Sequence, residues 1–253
     1  MKAALVQYSP EWENVDANIT KINDMINKYT GDDDILVFPE MTLTGFTMSS
    51  SDFGEDIDGK SFVFFMNLAK KLKKHIFAGI IEREDDKLFN SLIHFDNNGL
   101  IHARYRKIHP FSMGQEDKNY TAGDEPVISK IDNHLVGLSV CYDLRFPELY
   151  RRYAKEGVSI MINIANWPEA RIEHWKTLLR ARAIEDQCFM IGVNRVGTDP
   201  QLKYPGCSTI FDPMGKQLIE FSDKPGIYSA ELDMTVVETT RVNLPYLKDM
   251  KLI

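Results

Sequence analysis

The stretch "LVGLSVCYDLRFPELYR", residues 135–151, predicts a buried strand that runs into a charged turn and then a helix. Its first six residues are small or apolar, Cys141 follows them, and Asp143 and Arg145 come soon afterwards. Pro147 suits the first turn of the helix. Because a free cysteine usually behaves as a small buried hydrophobe, the rest of the chain has to decide whether Cys141 is structural or reactive.

Length and charge narrow the class of protein. The 253 residues are ample for a sizeable core, and we expect one domain over residues 1–253. The net charge of −7 argues against a nucleic-acid partner and against binding to an anionic membrane surface. No apolar run approaches the ~20 residues that a membrane-spanning helix needs, and the N-terminal run is too short for a secretion signal. These features predict a cytoplasmic protein.

The sequence lacks the motifs that are typical of several common kinds of functional site. The three cysteines form no CxxC pair, and the six histidines form no HExxH or HxH pair. A disulfide framework and a metal site are therefore disfavoured. The chain also lacks the GxSxG, GxGxxG and GxxxxGK[ST] motifs of serine hydrolases, dinucleotide sites and P-loops.

Apolar patterning predicts strands and helices that alternate, with hairpins among them. Hairpins need antiparallel strand pairs, whereas simple βαβ alternation gives parallel ones, so mixed sheets covered by helices fit best. The predicted strands cover residues 2–8, 35–38, 75–81, 88–95, 100–106, 135–140, 158–164 and 188–193, the predicted helices cover residues 15–29, 62–74, 171–187 and a segment from about 147, and a further hairpin covers residues 207–221.

Three predicted strands end close to residues suited to thiol chemistry: Glu40, Lys107 and Cys141. A thiol nucleophile needs a base and a donor for the oxyanion, and ligands of α/β sheets gather outside the carboxyl ends of strands. Taken singly, Glu40 is better explained as an exposed loop residue and Lys107 as part of a solvated basic face. When all three residues are considered together, an active site becomes about as well supported as these surface interpretations. Glu116 lies in a polar loop that offers equal candidates by composition at Asp117, Asp124 and Glu125.

Three segments resemble the signature segments of the nitrilase superfamily of carbon–nitrogen hydrolases: "FPEMTLTGF" (38–46), "YRKIHPF" (105–111) and "SVCYDLRFPELYR" (139–151). The resemblance covers nearly the whole chain, with further matches at residues 166–187, 192–199 and 206–216. It implies an α/β fold, a four-layer α-β-β-α sandwich with two mixed sheets. It also implies an even-numbered homo-oligomer, most simply a homodimer.

The resemblance assigns roles to the strand-end residues. The family's Glu–Lys–Cys triad falls on Glu40, Lys107 and Cys141, and its additional glutamate falls on Glu116. The implied chemistry is a thioester acyl-enzyme formed without a metal or organic cofactor, with the backbone N–H of Tyr142 as a second oxyanion donor. The other two cysteines, Cys188 and Cys207, are expected to be structural.

Two variants, "PEMTLTGFTM" (39–48) and "NWPEAR" (166–171), are similar to the bacterial ω-amidase branch of that superfamily. They imply a short dicarboxylic monoamide as substrate, such as 2-oxoglutaramate or 2-oxosuccinamate. Trp167 and Arg171 follow a predicted strand and are candidates for the substrate pocket. Arg171 is the first choice for binding the substrate carboxylate, and Arg195 is the second.

Other interpretations stay open. Arg145 is expected to be structural, in a salt bridge with Glu148 or another carboxylate near the site. Within the same enzyme class, the chain could be a nitrilase proper or a hydrolase of N-carbamoyl amino acids. A different class is a non-catalytic redox-sensing or binding protein with the same fold, in which Cys141 would react with peroxide and no ammonia would be released.

Overall fold

Thirteen strands and seven helices make up the regular structure of residues 1–252, the part of the chain that the computed structural model describes. The strands are β1 (Lys2–Gln7), β2 (Ile35–Val37), β3 (His75–Glu84), β4 (Lys87–Phe95), β5 (Ile101–Arg106), β6 (Ile128–Ile131), β7 (His134–Val140), β8 (Ile160–Ala165), β9 (Phe189–Asn194), β10 (Val196–Thr198), β11 (Lys203–Pro205), β12 (Thr209–Phe211) and β13 (Gly226–Glu231). The helices are α1 (Val15–Lys28), α2 (Ser50–Phe53), α3 (Lys60–Leu72), α4 (Glu116–Asn119), α5 (Pro147–Lys155), α6 (Ile172–Asp186) and α7 (Thr235–Asn243).

Two mixed sheets hold most of the strands. The first has the order β13-β1-β2-β3-β4-β5, and the second has the order β12-β9-β8-β7-β6. In each sheet the three parallel strands lie together, β1-β2-β3 and β7-β8-β9, and antiparallel strands flank them. The carboxyl ends of the parallel strands therefore lie at one edge of each sheet, which is where α/β folds place their ligands.

The sheets pack face to face, and helices cover their outer faces. On β1, Ala3 and Leu5 join the core between the sheets, whereas Ala4 and Val6 join a second core beneath α1 and α3. This alternation follows from the two-residue period of a strand, and burial on both faces explains why the strand reads as a continuous apolar run. Helices α5 and α6 contribute Leu149 and other side chains to the core on the far side of the second sheet. The result is the four-layer α-β-β-α sandwich, as the resemblance implied.

The sequence located most of the elements, with two kinds of difference. The predicted elements omit strands β6, β10, β11 and β13 and helices α2, α4 and α7. None of the six residues of β13 is buried and the strand carries no apolar run, yet it completes the first sheet by pairing with β1. In the predicted hairpin at 207–221, only Thr209–Phe211 forms a strand, and the chain turns back through a 3.0 Å bond from the Asp212 N–H to the Lys216 carbonyl.

Helix lengths bear on membrane insertion. The helix α6 has 15 residues, fewer than the ~20 that cross a bilayer. In residues 1–252 no helix is long and apolar enough to span a membrane.

Candidate active site

The backbone around Glu40 is held in a tight turn just beyond strand β2. The next residue, Met41, is buried and has a φ of +44°, in the left-handed region that non-glycine residues seldom adopt. The neighbouring strand makes room for this turn at Gly79, where a Cβ would lie 2.4 Å from the Met41 nitrogen and 2.7 Å from the Glu40 Cα. The sequence therefore directs the Glu40 side chain inward, and it is 1% exposed.

Lys107 and Glu116 meet Glu40 in the interior. Lys107 follows β5 directly and is 2% exposed. Its Nζ lies 2.9 Å from Glu40 Oε1 and 2.8 Å from Glu116 Oε2. Glu116 is the first residue of α4, is fully buried, and accepts a 2.7 Å hydrogen bond from the Phe111 N–H. Of the carboxylates in that polar loop, Glu116 is the one that reaches Lys107.

Cys141 stands at the junction of strand β7 and a short 3-10 turn, Cys141–Arg145. Its φ of +47° is again in the left-handed region, so the chain bends sharply at the thiol. Glu40 lies close enough to the thiol for its negative charge to raise the thiol pKa. The structure thus brings Glu40, Lys107, Glu116 and Cys141 together, and their catalytic roles stay predictions.

Two asparagines, neither of which was predicted to have a role, complete the polar contacts of Glu40. Asn90 Nδ2 lies 2.7 Å from an oxygen of Glu40 and 2.7 Å from an oxygen of Glu116. The Asn166 N–H donates to Glu40 Oε2 at 2.8 Å, and its side chain donates to the Glu40 carbonyl at 2.8 Å. Asn166 follows β8 directly and could have been found by the strand-end rule, that is, by looking for polar residues just beyond the carboxyl ends of predicted strands. Asn90 lies within β4, so this rule does not identify it.

The charges of the cluster set its protonation. Burial raises the pKa of the Cys141 thiol well above its usual value, and the negative charge of Glu40 adds to this while Lys107 opposes it. Burial by itself would lower the pKa of Lys107, but the charges of Glu116 and Glu40 outweigh it and raise that pKa. Burial likewise raises the pKa of Glu116, against the charge of Lys107. The resting state is therefore a neutral thiol beside a charged ammonium.

A small cavity leads from the thiol towards solvent. Beyond Cys141, its walls include Phe46, Tyr142, Trp167 and Tyr204. The cavity has a volume of about 40 Å³, which is enough for a few water molecules. A wider cleft of about 570 Å³ adjoins it on the outside and shares Phe46 and Tyr204 as walls. This shape suits a short acyl group next to the thiol.

Two arginines line the cavity wall, Arg145 and Arg171. Arg145 Nη1 lies 3.2 Å from His174 Nδ1, and its guanidinium lies over the Trp167 ring at 4.7 Å. Arg171, in a 3-10 turn just ahead of α6, lies over the Phe111 ring at 5.5 Å. Burial lowers the pKa of Arg145, and the positive charge of Arg171 lowers it further. No carboxylate of residues 1–252 forms an ion pair with either arginine.

The positions of Arg145 and Arg195 correct the expectations from the sequence. The expected salt bridge from Arg145 to Glu148 does not form, because Arg145 ends the 3-10 turn and faces the cavity, whereas Glu148 lies exposed on α5. Arg195 is fully buried and is absent from the cavity wall. Its Nη2 donates to the Thr198 carbonyl at 2.9 Å, and its guanidinium lies 4.5 Å from the Tyr204 ring, so it supports the wall from behind.

The side chains of the site are not arranged as the ligands of a metal ion. Within residues 1–252 no group of three or more His, Cys, Asp or Glu side chains is arranged to hold a metal ion. That the reaction needs no cofactor stays a prediction.

The chain matches a family model over almost its whole length. The model is described as carbon-nitrogen hydrolase, and it matches residues 2–242. The chain belongs to the carbon–nitrogen hydrolase family. The predicted resemblance and the predicted class of enzyme are both confirmed.

Relatives of this carbon–nitrogen hydrolase include named amidases. The chain is 34% identical over 248 residues to a 2-oxoglutaramate amidase of Bacillus subtilis, which covers 97% of this chain and 96% of the relative. It is 32% identical over 257 residues to the omega-amidase YafV of Yersinia enterocolitica, covering 98% and 96%. Its fold matches the crystal structure of a CN-hydrolase superfamily protein of Xanthomonas campestris with a TM-score of 0.95, at 31% identity over 100% of this chain and 98% of the other.

Removing the charge of Lys107 tests how this hydrolase tolerates two adjacent buried carboxylates. In Lys107→Met, Glu40 and Glu116 lose their shared counter-ion. We expect the free energy of unfolding, measured with urea at pH 7, to fall by about 3–5 kcal/mol. Burial already raises the pKa of Glu116, and loss of the Lys107 charge should raise it further, so the native state of the variant binds a proton more readily than the unfolded chain does. Since such stability is present at low pH and lost as pH rises, the variant should be less impaired at pH 5 than at pH 7.

Lys60→Met is the matched control for this measurement. Lys60 also pairs with a carboxylate, Asp16 at 2.9 Å, but both side chains are mostly exposed. Exposed pairs contribute roughly 0–1 kcal/mol. An equal loss in the two variants would contradict the electrostatic coupling assigned to the buried cluster.

Proposed function

We propose that this carbon–nitrogen hydrolase is an ω-amidase, which hydrolyses the terminal amide of short dicarboxylic monoamides such as 2-oxoglutaramate or 2-oxosuccinamate. The observation that carries the substrate class is the pair of arginines without carboxylate partners, Arg145 and Arg171, on the wall of the cavity that holds Cys141. Guanidinium groups bind carboxylates with two parallel hydrogen bonds. The names of the relatives, 2-oxoglutaramate amidase and omega-amidase, support the same class.

Acylation would begin with the neutral thiol. Glu40 takes the proton as the sulfur of Cys141 bonds to the amide carbon, and the carbonyl electron pair moves onto the oxygen. Lys107 has three N–H donors, and its Nζ contacts one oxygen of Glu40 and both oxygens of Glu116. One of the two contacts with Glu116 would give way to the oxyanion, which the Tyr142 N–H would also bind. Glu40 then gives its proton to the departing nitrogen, the carbon–nitrogen bond breaks, and ammonia leaves a thioester on Cys141.

Hydrolysis of the thioester would reuse the same groups. Glu40 takes a proton from water, and the water oxygen bonds to the thioester carbon. When the tetrahedral intermediate collapses, the carbon–sulfur bond breaks and Glu40 returns the proton to Cys141. Glu116 holds Lys107 in place through its 2.8 Å contact and does not touch the reacting atoms. The products are ammonia and a dicarboxylic acid.

Rival functions make different demands on the cavity. A nitrilase that acts on a neutral aliphatic nitrile has no carboxylate to place against two cations beside the thiol. An N-carbamoyl amino acid also carries a carboxylate, so a hydrolase of those substrates remains the runner-up. A non-catalytic redox sensor would react at Cys141 with peroxide and release no ammonia. Assays of 2-oxoglutaramate, an aliphatic nitrile and an N-carbamoyl amino acid side by side separate these alternatives.

Loss of the nucleophile tests the covalent mechanism. Cys141→Ala should release no ammonia above background from 2-oxoglutaramate, while its thermal unfolding midpoint stays close to that of the unaltered protein, because a small side chain is removed beside a cavity. Mass spectrometry of quenched reactions should show an acyl adduct on the unaltered chain and none on the variant. Cys188→Ala and Cys207→Ala, which change thiols outside the cluster, should retain activity; appreciable turnover by Cys141→Ala would sink the thioester mechanism.

Substrate preference tests the two arginines. Arg171→Met and Arg145→Met should each raise KM for 2-oxoglutaramate by about 10- to 100-fold, the effect of losing a charged hydrogen bond of roughly 1.5–3 kcal/mol. Activity towards the neutral butyramide should change by less than about threefold, because that substrate has no carboxylate to lose.

Arg180→Met is the control, since Arg180 is exposed on α6. If the unaltered enzyme preferred butyramide to the oxo-acid amide, the substrate class would be wrong. If both arginine variants kept the preference for the oxo-acid amide, the substrate could stand but the residue assignment would fall.

The predicted assembly is also part of this proposal, and the cytosolic location stays a prediction. We expect a homodimer or a larger even assembly. Exposed apolar side chains near the C-terminus support it: Val242 is 77% exposed and Tyr246 is 59% exposed, and such patches often mark interfaces. Light scattering at micromolar concentration should give twice the 29.1 kDa chain mass or an even multiple of it. A strict monomer would contradict the prediction.

A further inference from the structure

One buried carboxylate joins the two segments that carry the nucleophile and the ammonium. Asp143 is fully buried and accepts hydrogen bonds from both segments. Its Oδ2 accepts from the Val140 N–H at 2.9 Å and from the Tyr105 hydroxyl at 2.7 Å. Its Oδ1 accepts from the His109 N–H at 3.0 Å and lies 2.8 Å from His109 Nδ1. Four polar contacts thus converge on one side chain.

The hydrogen-bond donors to Asp143 are close in sequence to Cys141 and to Lys107. Val140 immediately precedes Cys141, whereas Tyr105 and His109 lie two residues before and two residues after Lys107. The contacts therefore bracket both functional residues. Asp143 itself is not on the cavity wall, so it has no route to the substrate.

The backbone at Cys141 needs such support. Its left-handed φ of +47° is unfavourable for a residue with a side chain, and strained turns persist only where the surroundings hold them. The bond from the Val140 N–H to the Asp143 carboxylate closes the turn across the nucleophile. On the other side, the His109 ring stacks on Phe146 at 3.8 Å, which fixes the ring that contacts Asp143.

We propose that Asp143 is a positioning residue that sets the distance and orientation of Lys107 relative to the Cys141 thiol. The inference rests on the proposed amidase chemistry for its kinetic consequence, but the geometry of the thiol is testable without any amide. Asp143→Asn keeps the shape of the side chain and replaces an acceptor oxygen by an NH2 donor. That donor would face an N–H or O–H group, so one of the two segments has to shift.

The test measures kcat, KM and the reactivity of the thiol in Asp143→Asn. A shift of about 1 Å at a reacting group can cost ~100-fold in rate, so we expect kcat to fall by about 10- to 100-fold while KM changes by less than about threefold. Alkylation of Cys141 by iodoacetamide, in which a carbon–sulfur bond forms as iodide leaves, should slow as well. The labelled cysteine is identified by peptide mass, which separates Cys141 from the other two thiols.

Asp186→Asn controls for the loss of a buried carboxylate as such. Asp186 is also fully buried, at the end of α6, where Arg151 Nη1 lies 3.2 Å away, and it is not on the cavity wall. This variant should keep kcat and alkylation within about twofold, whatever its effect on the unfolding midpoint. If both variants lost kcat in proportion to lost stability, Asp143 would be structural only.

Tyr105→Phe covers the case in which Asp143→Asn does not fold. It removes one of the four contacts with Asp143 and leaves the aromatic ring in the core, so kcat should fall by about three- to tenfold with KM nearly unchanged. An unchanged kcat in Tyr105→Phe, or in folded Asp143→Asn, would overturn the proposal. If the alkylation effect appeared but no amide were hydrolysed by the unaltered protein, the positioning role would stand and the ω-amidase assignment would fail.

Discussion

Two carboxylates and one ammonium lie in contact in the interior, and burying any of them without a counter-charge would cost several kcal/mol. The ion pairs with Glu40 and Glu116 therefore stabilise the charge of Lys107, and Lys107 in turn stabilises the charges of both carboxylates. The asparagines at 90 and 166 supply the remaining hydrogen bonds of Glu40. The strands that present these residues come from both sheets, so the face-to-face packing of the sheets is what makes the cluster possible.

The cluster carries one net negative charge when the thiol is neutral, since two carboxylates face one ammonium. Burial disfavours a thiolate there, and a thiolate would also add a second negative charge next to Glu40, so the pKa of Cys141 lies above its usual value in spite of Lys107. In the proposed mechanism, transfer of the proton to Glu40 removes a charge at the moment the sulfur attacks, and the new charge appears on the substrate oxygen near Lys107. Loss of the Cys141 proton is thus unfavourable by itself and becomes favourable when the sulfur attacks the substrate carbonyl in the same step.

The strand-end rule explains which residues the sequence could locate. Glu40, Lys107 and Cys141 each lie within a few residues of a strand terminus, and apolar runs make those termini visible. Glu116 was one of several acidic residues in its loop, and only the N–H of Phe111 and the position of α4 distinguish it. Arg145 was misjudged because spacing along the chain placed it near Glu148, whereas the 3-10 turn directs it to the cavity. Such a turn has no periodic signature, so the error could not be seen in the sequence.

The two arginines on the cavity wall carry a charge opposite to the net charge of the buried cluster. Arg145 and Arg171 add two positive charges to a cluster of one ammonium and two carboxylates, so the site as a whole is positive by one in a protein whose net charge is −7. Burial lowers the pKa of Arg145, and the positive charge of Arg171 lowers it further, so the two guanidinium groups disfavour each other. An anionic group between them removes that repulsion, whereas a neutral substrate leaves it in place. The proposed selectivity for an acidic amide would then follow from the constraint that also organises the buried cluster, because a charge in this interior is stable only when an opposite charge is placed against it.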